Sequence, residues 1–206
     1  MFGIIRLIVV CVFLCCSVAV IKKSRAIRKR MLYIIFLLLS VMLIFVSMFF
    51  PFENFFISFD SPQASFDYYN FGKSNIVLVV EGNDCDFVVD RKDNSTDSHL
   101  IIPKNEEGWK IGTGINTKII AQKHYDGITV VIYQYKNTND YFITIIDTSG
   151  NETIISDDYN TKFYPLERNV NYLEKSFVTY YAHITDFNSQ YCVTVNGNKI
   201  IFDQCI

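Results

Sequence analysis

Two apolar runs separated by a basic cluster constrain this chain more than any other feature. Residues 2–21 (FGIIRLIVVCVFLCCSVAVI) and 31–50 (MLYIIFLLLSVMLIFVSMFF) are each about twenty residues long. A helix of that length, at ~1.5 Å rise per residue, extends ~30 Å, the hydrocarbon thickness of a bilayer. The second run carries no charge. The first carries only Arg6, close enough to its end to reach the headgroups. Neither has the polar face that a helix on the surface of a water-soluble core turns to solvent. The pattern predicts a transmembrane hairpin.

Between the runs lies KKSRAIRKR at 22–30, with Lys22, Lys23, Arg25, Arg28, Lys29 and Arg30. Clustered Lys and Arg beside a span are retained in the cytoplasm. These six are therefore the candidate topology determinants, and both termini and residues 52–206 are expected outside the cytoplasm. A lipid-sensing or partner-binding patch is the competing reading of the cluster. A cleaved leader is disfavoured, because the first run lacks a small-x-small site and basic residues follow it directly. Tyr33, Phe49, Phe50, Phe52, Phe55 and Phe56 fall where an interfacial aromatic belt belongs. Cys11, Cys15 and Cys16 lie inside the first span, where they read as small apolar side chains rather than as acylation sites.

Charge divides the chain at the same place. Residues 1–51 hold seven basic and no acidic residues, whereas 52–206 hold twelve basic and twenty-one acidic ones, a formal net of −9. Two domains are expected: the hairpin at 1–51 and an extracytoplasmic unit at 52–206. An acidic unit lacks the clustered cations that nucleic acid requires. Its length suffices for a core without disulfide staples.

The outer unit reads as α+β. Ser61-Pro62 supplies an N-cap and an N1 proline, so a short helix is predicted over 62–70, ended by Gly72. Strands follow: 75–80 and 85–90 as a hairpin around Glu81-Gly82-Asn83-Asp84, then 99–102 stopped by Pro103, 108–111, 118–123, 128–136, 141–147 and 176–184. Residues 148–151 are expected to turn the chain into a further meander strand at 152–156. PLERNVNYLEK at 165–175 suggests a short helix or turn. Alternation puts Thr129, Val131, Tyr133 and Tyr135 on one face and Ile128, Val130 and Ile132 on the other. Both faces are apolar, so each needs a cover, and the helix at 62–70 is the candidate for one. Asn196-Gly197 predicts a type I′ hairpin in which Val195 faces Asn198 and Cys192 faces Ile201. The order of elements implies a β-dominated antiparallel meander with one short covering helix, as a cystatin-like roll or a small sandwich or barrel.

The strings SPQASFDYYNFGKSNIVLVVEGNDCDFVV, IPKNEEGWKIG and DYFITIID, within residues 61–147, resemble parts of small membrane-anchored proteins of low-GC Gram-positive bacteria. The resemblance implies an envelope location. The group has no assigned activity, so no chemistry is implied.

Residues that could carry chemistry are sparse. Cys85, Cys192 and Cys205 are an odd set in the outer unit, so any pairing leaves one over. Cys192 and Cys205 would lie ~13 Å apart along a straight hairpin, beyond the ~7 Å that a disulfide spans. His99, His124 and His183 lack metal-ligand spacing. A Ser-His-Asp site assembled in space has no GxSxG or SxxK string to nominate its Ser. Asp84, Asp86, Asp90, Asp93 and Asp97, with Asp157 and Asp158, form acidic spots without EF-hand spacing and read as solvating loops. Tyr133, Tyr135, Tyr180 and Tyr181 read as packing rather than as a binding platform. No catalytic, metal or cofactor residue is nominated.

The expected function is a membrane-tethered extracytoplasmic interaction or ligand-binding module, an accessory subunit of a cell-envelope assembly. Its expected partners are the lipid bilayer and a membrane or envelope protein. The alternative is a cell-envelope hydrolase with a spatially assembled site.

Overall fold

A computed structural model describes residues 4–24, 26–70, 72–92, 97–148, 153–170, 175–185, 187–188 and 190–202. Helix α1 spans Ile4–Lys23 and α2 spans Ala26–Phe49. The connection is far shorter than the nine-residue loop expected at 22–30. Lys22 and Lys23 close α1, while Arg28, Lys29 and Arg30 belong to the start of α2. Lys and Arg are good helix formers, so basic residues extend both helices instead of interrupting them. Ser24 ends α1, its N–H and Oγ both bonding the Ile21 carbonyl. The helices pack side by side. Phe13 meets Phe36 edge-on at 6.1 Å, and Ile21, Ser17 and Ser40 are buried. Each serine is satisfied within its own helix, Ser17 on the Phe13 carbonyl and Ser40 on that of Phe36, both at 2.7 Å. Small residues at a helix contact let the backbones approach closely. Among the described residues, no helix is long and apolar enough to cross a membrane.

The rest of the chain is α+β and layered. Helix α3, Pro62–Asn70, starts where Ser61 and Pro62 predict, and the Ala64 N–H donates to Ser61 Oγ at 3.1 Å. It covers an antiparallel sheet of β1 (Ile76–Glu81), β2 (Cys85–Arg91), β3 (Asp97–Asn105) and β4 (Gly108–Trp109), in that order. The central sheet has five strands: β5 (Thr117–Tyr125), β6 (Ile128–Tyr135), β7 (Tyr141–Asp147), β10 (Lys175–Ile184) and β9 (Tyr164–Val170). A third sheet holds β12 (Asn198–Ile201), β11 (Cys192–Val195) and β8 (Ile155–Asp157).

Period-2 alternation sorts side chains into three apolar interfaces. On β2, Val88 faces α3 and packs with Phe66 and Ile102. Its neighbours Phe87 and Val89 face the central sheet, where Phe87 meets Phe142 at 5.4 Å and Tyr181 at 5.8 Å. On β6, Tyr135 joins that interface, while Ile128, Val130 and Ile132 face Val193, Val195 and Ile200 of the third sheet. Both faces of β6 are covered, as its composition requires. The cover, however, is a sheet on each side. Helix α3 lies one layer out, because the apolar outer face of β2 and β3 needs a partner as well.

Other expectations change where pairing is long-range. Residues 155–157 do not extend the meander. The free side of β7 is taken by β10, with Tyr141 opposite Ile184 and Asp147 opposite Val178, so β8 pairs with β11 instead. Residues 149–152 lie outside the described ones. The ambiguous segment at 165–175 supplies edge strand β9, where Pro165 is tolerated and Leu166 packs inward. Nor does Pro103 stop its strand. Its carbonyl accepts from Lys110 on the side away from β2, while Lys104 N–H reaches back to Asp84. The missing Pro N–H therefore points off the β2–β3 ladder. The terminal hairpin has the predicted register, and Asn196 (φ 51°) and Gly197 (φ 81°) both take the positive φ of a type I′ turn.

Candidate functional site

The site with the most chemistry lies where the first two sheets meet at the end of β1. The turn between β1 and β2 folds back on itself, with Gly82 N–H bonding the Cys85 carbonyl. A Cβ on Gly82 would sit 2.5 Å from that oxygen and 2.9 Å from the Phe142 ring, so only glycine fits. The turn presents two backbone N–H groups to Asp140, which precedes β7. Asn83 N–H donates to Oδ1 at 2.8 Å and Asp84 N–H to Oδ2 at 2.5 Å. The Cys85 thiol is a weak third donor at 3.5 Å. His183, on β10, brings Nε2 to 2.7 Å from Oδ1.

Asp140 is 0 % exposed. Burial pushes its carboxyl upward, but the bonds from His183, Asn83 and Asp84 outweigh burial and hold it at about 2. The group is an anion at any ordinary pH, so His183 Nε2 carries a proton to donate to it. The other ring nitrogen, Nδ1, has no protein partner among the described residues. The ring borders an open polar cleft of about 440 Å³ with Glu81, Lys162, Tyr164, Val79 and Val80. Lys162 Nζ stands 4.8 Å over the Tyr164 ring, a cation–π contact. One anion, one cation, one aromatic face and one imidazole thus surround a single cavity.

A cysteine nucleophile does not emerge. Asp140 stands between Cys85 and His183, so the imidazole has no bond to the thiol. Burial first, then the Asp140 charge, push that thiol far above its ordinary range. Cys85 and Cys192 are both free and buried. Cys192 donates to Asp158 at 3.1 Å. Cys205 lies outside the described residues.

Of the six basic residues expected to set topology, Lys22, Lys23 and Arg28 are exposed and Lys29 is half-buried. The side chains of Arg25 and Arg30 lie outside the described set. The acidic spots are more than solvating loops. Asp86 is buried and accepts from Lys104 at 2.8 Å and from the Trp109 indole at 2.6 Å. Asp90 accepts the Asn75 N–H at 2.7 Å, and Asp157 gathers Tyr159, Thr161 and the Tyr191 hydroxyl. These carboxylates are acceptors that fix turns and strand ends. Among the described residues, no group of three or more His, Cys, Asp or Glu is arranged to hold a metal ion. His124 bonds Gln122 and Thr129 at the surface, and His99 stacks on Phe87 at 5.0 Å. Tyr133, Tyr135 and Tyr181 belong to the interface between the first and central sheets.

His183 was in view from the sequence; its grouping with Asp140, Lys162 and Tyr164 was not. Asn137-Thr138-Asn139-Asp140 reads only as turn chemistry. The available signal was a carboxylate placed immediately before an apolar strand, and it does not name its partner. No family model, no curated protein and no solved structure matches the chain.

Proposed function

We propose that the chain is a membrane-tethered extracytoplasmic ligand-binding module, an accessory subunit of a cell-envelope assembly, with the His183 cleft as its ligand site. One observation carries the tether. Among the described residues, most of the exposed large apolar side chains lie on the helical hairpin, including Val12, Val18, Ile34, Leu37, Leu38, Met42 and Phe45. Leaving that surface in water costs roughly 25 cal/mol per Å², which lipid removes. No described helix meets the length and apolarity of a span. The full sequence of α2 weighs against that, since residues 31–50 form an unbroken, uncharged apolar run. The basic residues at the hairpin tip favour a cytoplasmic tip, with residues 52–206 outside.

The cleft supports ligand binding through its mixed polar lining. Glu81 suits an ammonium, Lys162 a carboxylate, and His183 Nδ1 can accept a hydrogen bond. The tether is tested by alkaline carbonate extraction of membranes from cells expressing the full chain: retention in the pellet is expected, and release would contradict it. The cleft is tested by thermal shift with amino acids and short peptides. A shift lost in His183→Gln, a variant that keeps a donor for Asp140, supports the site; no shift with any of them counts against it.

A second reading, an envelope hydrolase, is favoured by the Asp140–His183 pair, since a carboxylate that orients an imidazole is the arrangement of a general base. No Ser, Thr or Cys is among the described residues lining the cleft, so His183 would have to activate water. Turnover of a peptide or ester substrate, lost in His183→Gln, would move the reading there.

A further inference from the structure

The end of α2 is fixed to the outer unit. Phe50 N–H completes the last helical turn on the Val46 carbonyl, Pro51 ends the helix, and a 3-10 turn follows at Phe52–Phe55. That turn is clamped to the sheet layers by Asn54, whose side chain donates to the Ile111 carbonyl at 3.0 Å and accepts the Ile111 N–H at 2.7 Å. The clamp leaves apolar side chains facing outward at the junction. Phe55 is 72 % exposed and Phe56 83 %, and Ile115, on a second 3-10 turn at Gly114–Asn116, is 56 % exposed. Nothing in the fold calls for three large apolar residues in water there.

Between these parts runs a groove of about 530 Å³. One end is walled by Phe45, Val46 and Phe49 of α2 and is continuous with the apolar surface of the hairpin. The other end reaches Ile115, Asn116 and Lys136. Lys136 is held in place, with its N–H on the Asn116 carbonyl at 2.6 Å and its Nζ 4.9 Å from the Tyr135 ring centroid. No carboxylate lines the groove, and Lys136 has no ion-pair partner among the described residues. An unpaired cation at the head of an apolar groove, in a unit of net charge −9, matches the anatomy of a phospholipid: an acyl chain, then a phosphate.

We infer that this groove seats a phospholipid of the extracytoplasmic leaflet, its acyl chain along Phe45 and Phe49 and its phosphate at Lys136, with Phe55, Phe56 and Ile115 immersed in the interface. The inference rests on the membrane-tethered reading. It adds that the outer unit lies against the bilayer rather than hanging free of it. Apolar and aromatic side chains flanked by a cation are the composition of an interfacial anchor.

The test uses the full chain in liposomes containing phosphatidylglycerol, with its other accessible cysteines replaced. A fluorophore is placed singly at Leu38→Cys, Ile115→Cys or Ser156→Cys. Quenching is measured with lipids nitroxide-labelled near the headgroup or deep in the chain, and with a water-soluble quencher. Leu38 should respond to the deep lipid, Ile115 to the shallow one, and Ser156 only to the aqueous quencher. Lys136→Glu should reduce shallow-lipid quenching at Ile115 several-fold and leave Leu38 unchanged. If Leu38 reads lipid but Ile115 reads water, the groove proposal falls and the tether stands. An Ile115 shielded from both quenchers would mean that protein fills the groove, which also overturns it. An unchanged Ile115 signal in Lys136→Glu removes the phosphate assignment. A water-exposed Leu38 overturns the tether, and the groove with it.

Discussion

Asp140 Oδ1 lies 2.7 Å from His183 Nε2, and this one contact ties three elements together: the turn before β7, strand β10, and through Asn83 and Asp84 the turn that joins β1 to β2. A fully buried carboxylate that holds two backbone N–H groups and an imidazole fixes how the first sheet sits on the central one. Removing it leaves those donors without their acceptor.

Asp140→Ala should therefore destabilise the protein by about 3 kcal/mol, the scale for losing hydrogen bonds to an ionised acceptor. His183→Gln, which keeps a donor, should cost well under half of that. Chemical denaturation of the detergent-solubilised full chain, followed by near-UV circular dichroism, measures both.

The same group sets an acid limit. The Asp140 carboxyl sits at about 2, below its ordinary value of 3.8. A depressed folded-state value contributes stability that is present above pH 3.8 and is lost as pH falls toward 2. The contribution is about 2 kcal/mol at neutral pH, by ~1.4 kcal/mol per unit. Between pH 4 and pH 2 the parent should lose about that much more stability than Asp140→Asn, which has nothing to titrate there. Parallel pH dependences in the two proteins would contradict the assignment.

Trp109, the one tryptophan, donates its indole N–H to Asp86, which Lys104 also holds. Its fluorescence therefore reports the corner between β3 and β4. Asp86→Asn should shift the emission maximum and cost ~1–3 kcal/mol, the penalty for weakening a buried charged hydrogen bond. An unshifted spectrum would mean that the indole does not make this bond.

Gly82 and Gly197 separate two uses of glycine. At Gly197 a Cβ meets nothing within 4 Å, so the cost of substitution is the positive φ alone. Gly197→Val should lose ~1–3 kcal/mol, and Gly197→Asn much less, because Asn tolerates that region. Gly82→Ala meets backbone and a core ring instead, so it should disturb the Asp140 site as well as stability. Loss of the acid-dependent component in Gly82→Ala but not in Gly197→Val would confirm the distinction.

What the sequence disclosed were the local rules. Ser61-Pro62 placed the start of α3 and Asn196-Gly197 the last hairpin with its register. The alternation in β6 announced that both of its faces are covered. What it withheld was long-range. Which strand takes the free side of β7 decides the fate of β8, and nothing near Ile155 encodes that choice. Leu166, Val170 and Leu173 suggest a helical stripe, yet residues 164–170 form a strand because β10 offers them an edge. The Asp140–His183 pair joins residues 43 apart, and neither carries a local mark of the other. Exposure of Ile115 and Phe56 likewise becomes meaningful only once the Asn54 clamp brings them together.

In the proposed function a membrane hairpin holds residues 52–206 outside the cytoplasm. The most direct measurement of that topology is labelling of Ser24→Cys and Ser156→Cys, separately, with an impermeant thiol reagent on intact cells. The native accessible cysteines are replaced, and lysed cells serve as the control for reactivity. Labelling is expected at 156 in intact cells and at 24 only after lysis. Labelling at 24 and protection at 156 in intact cells would contradict it.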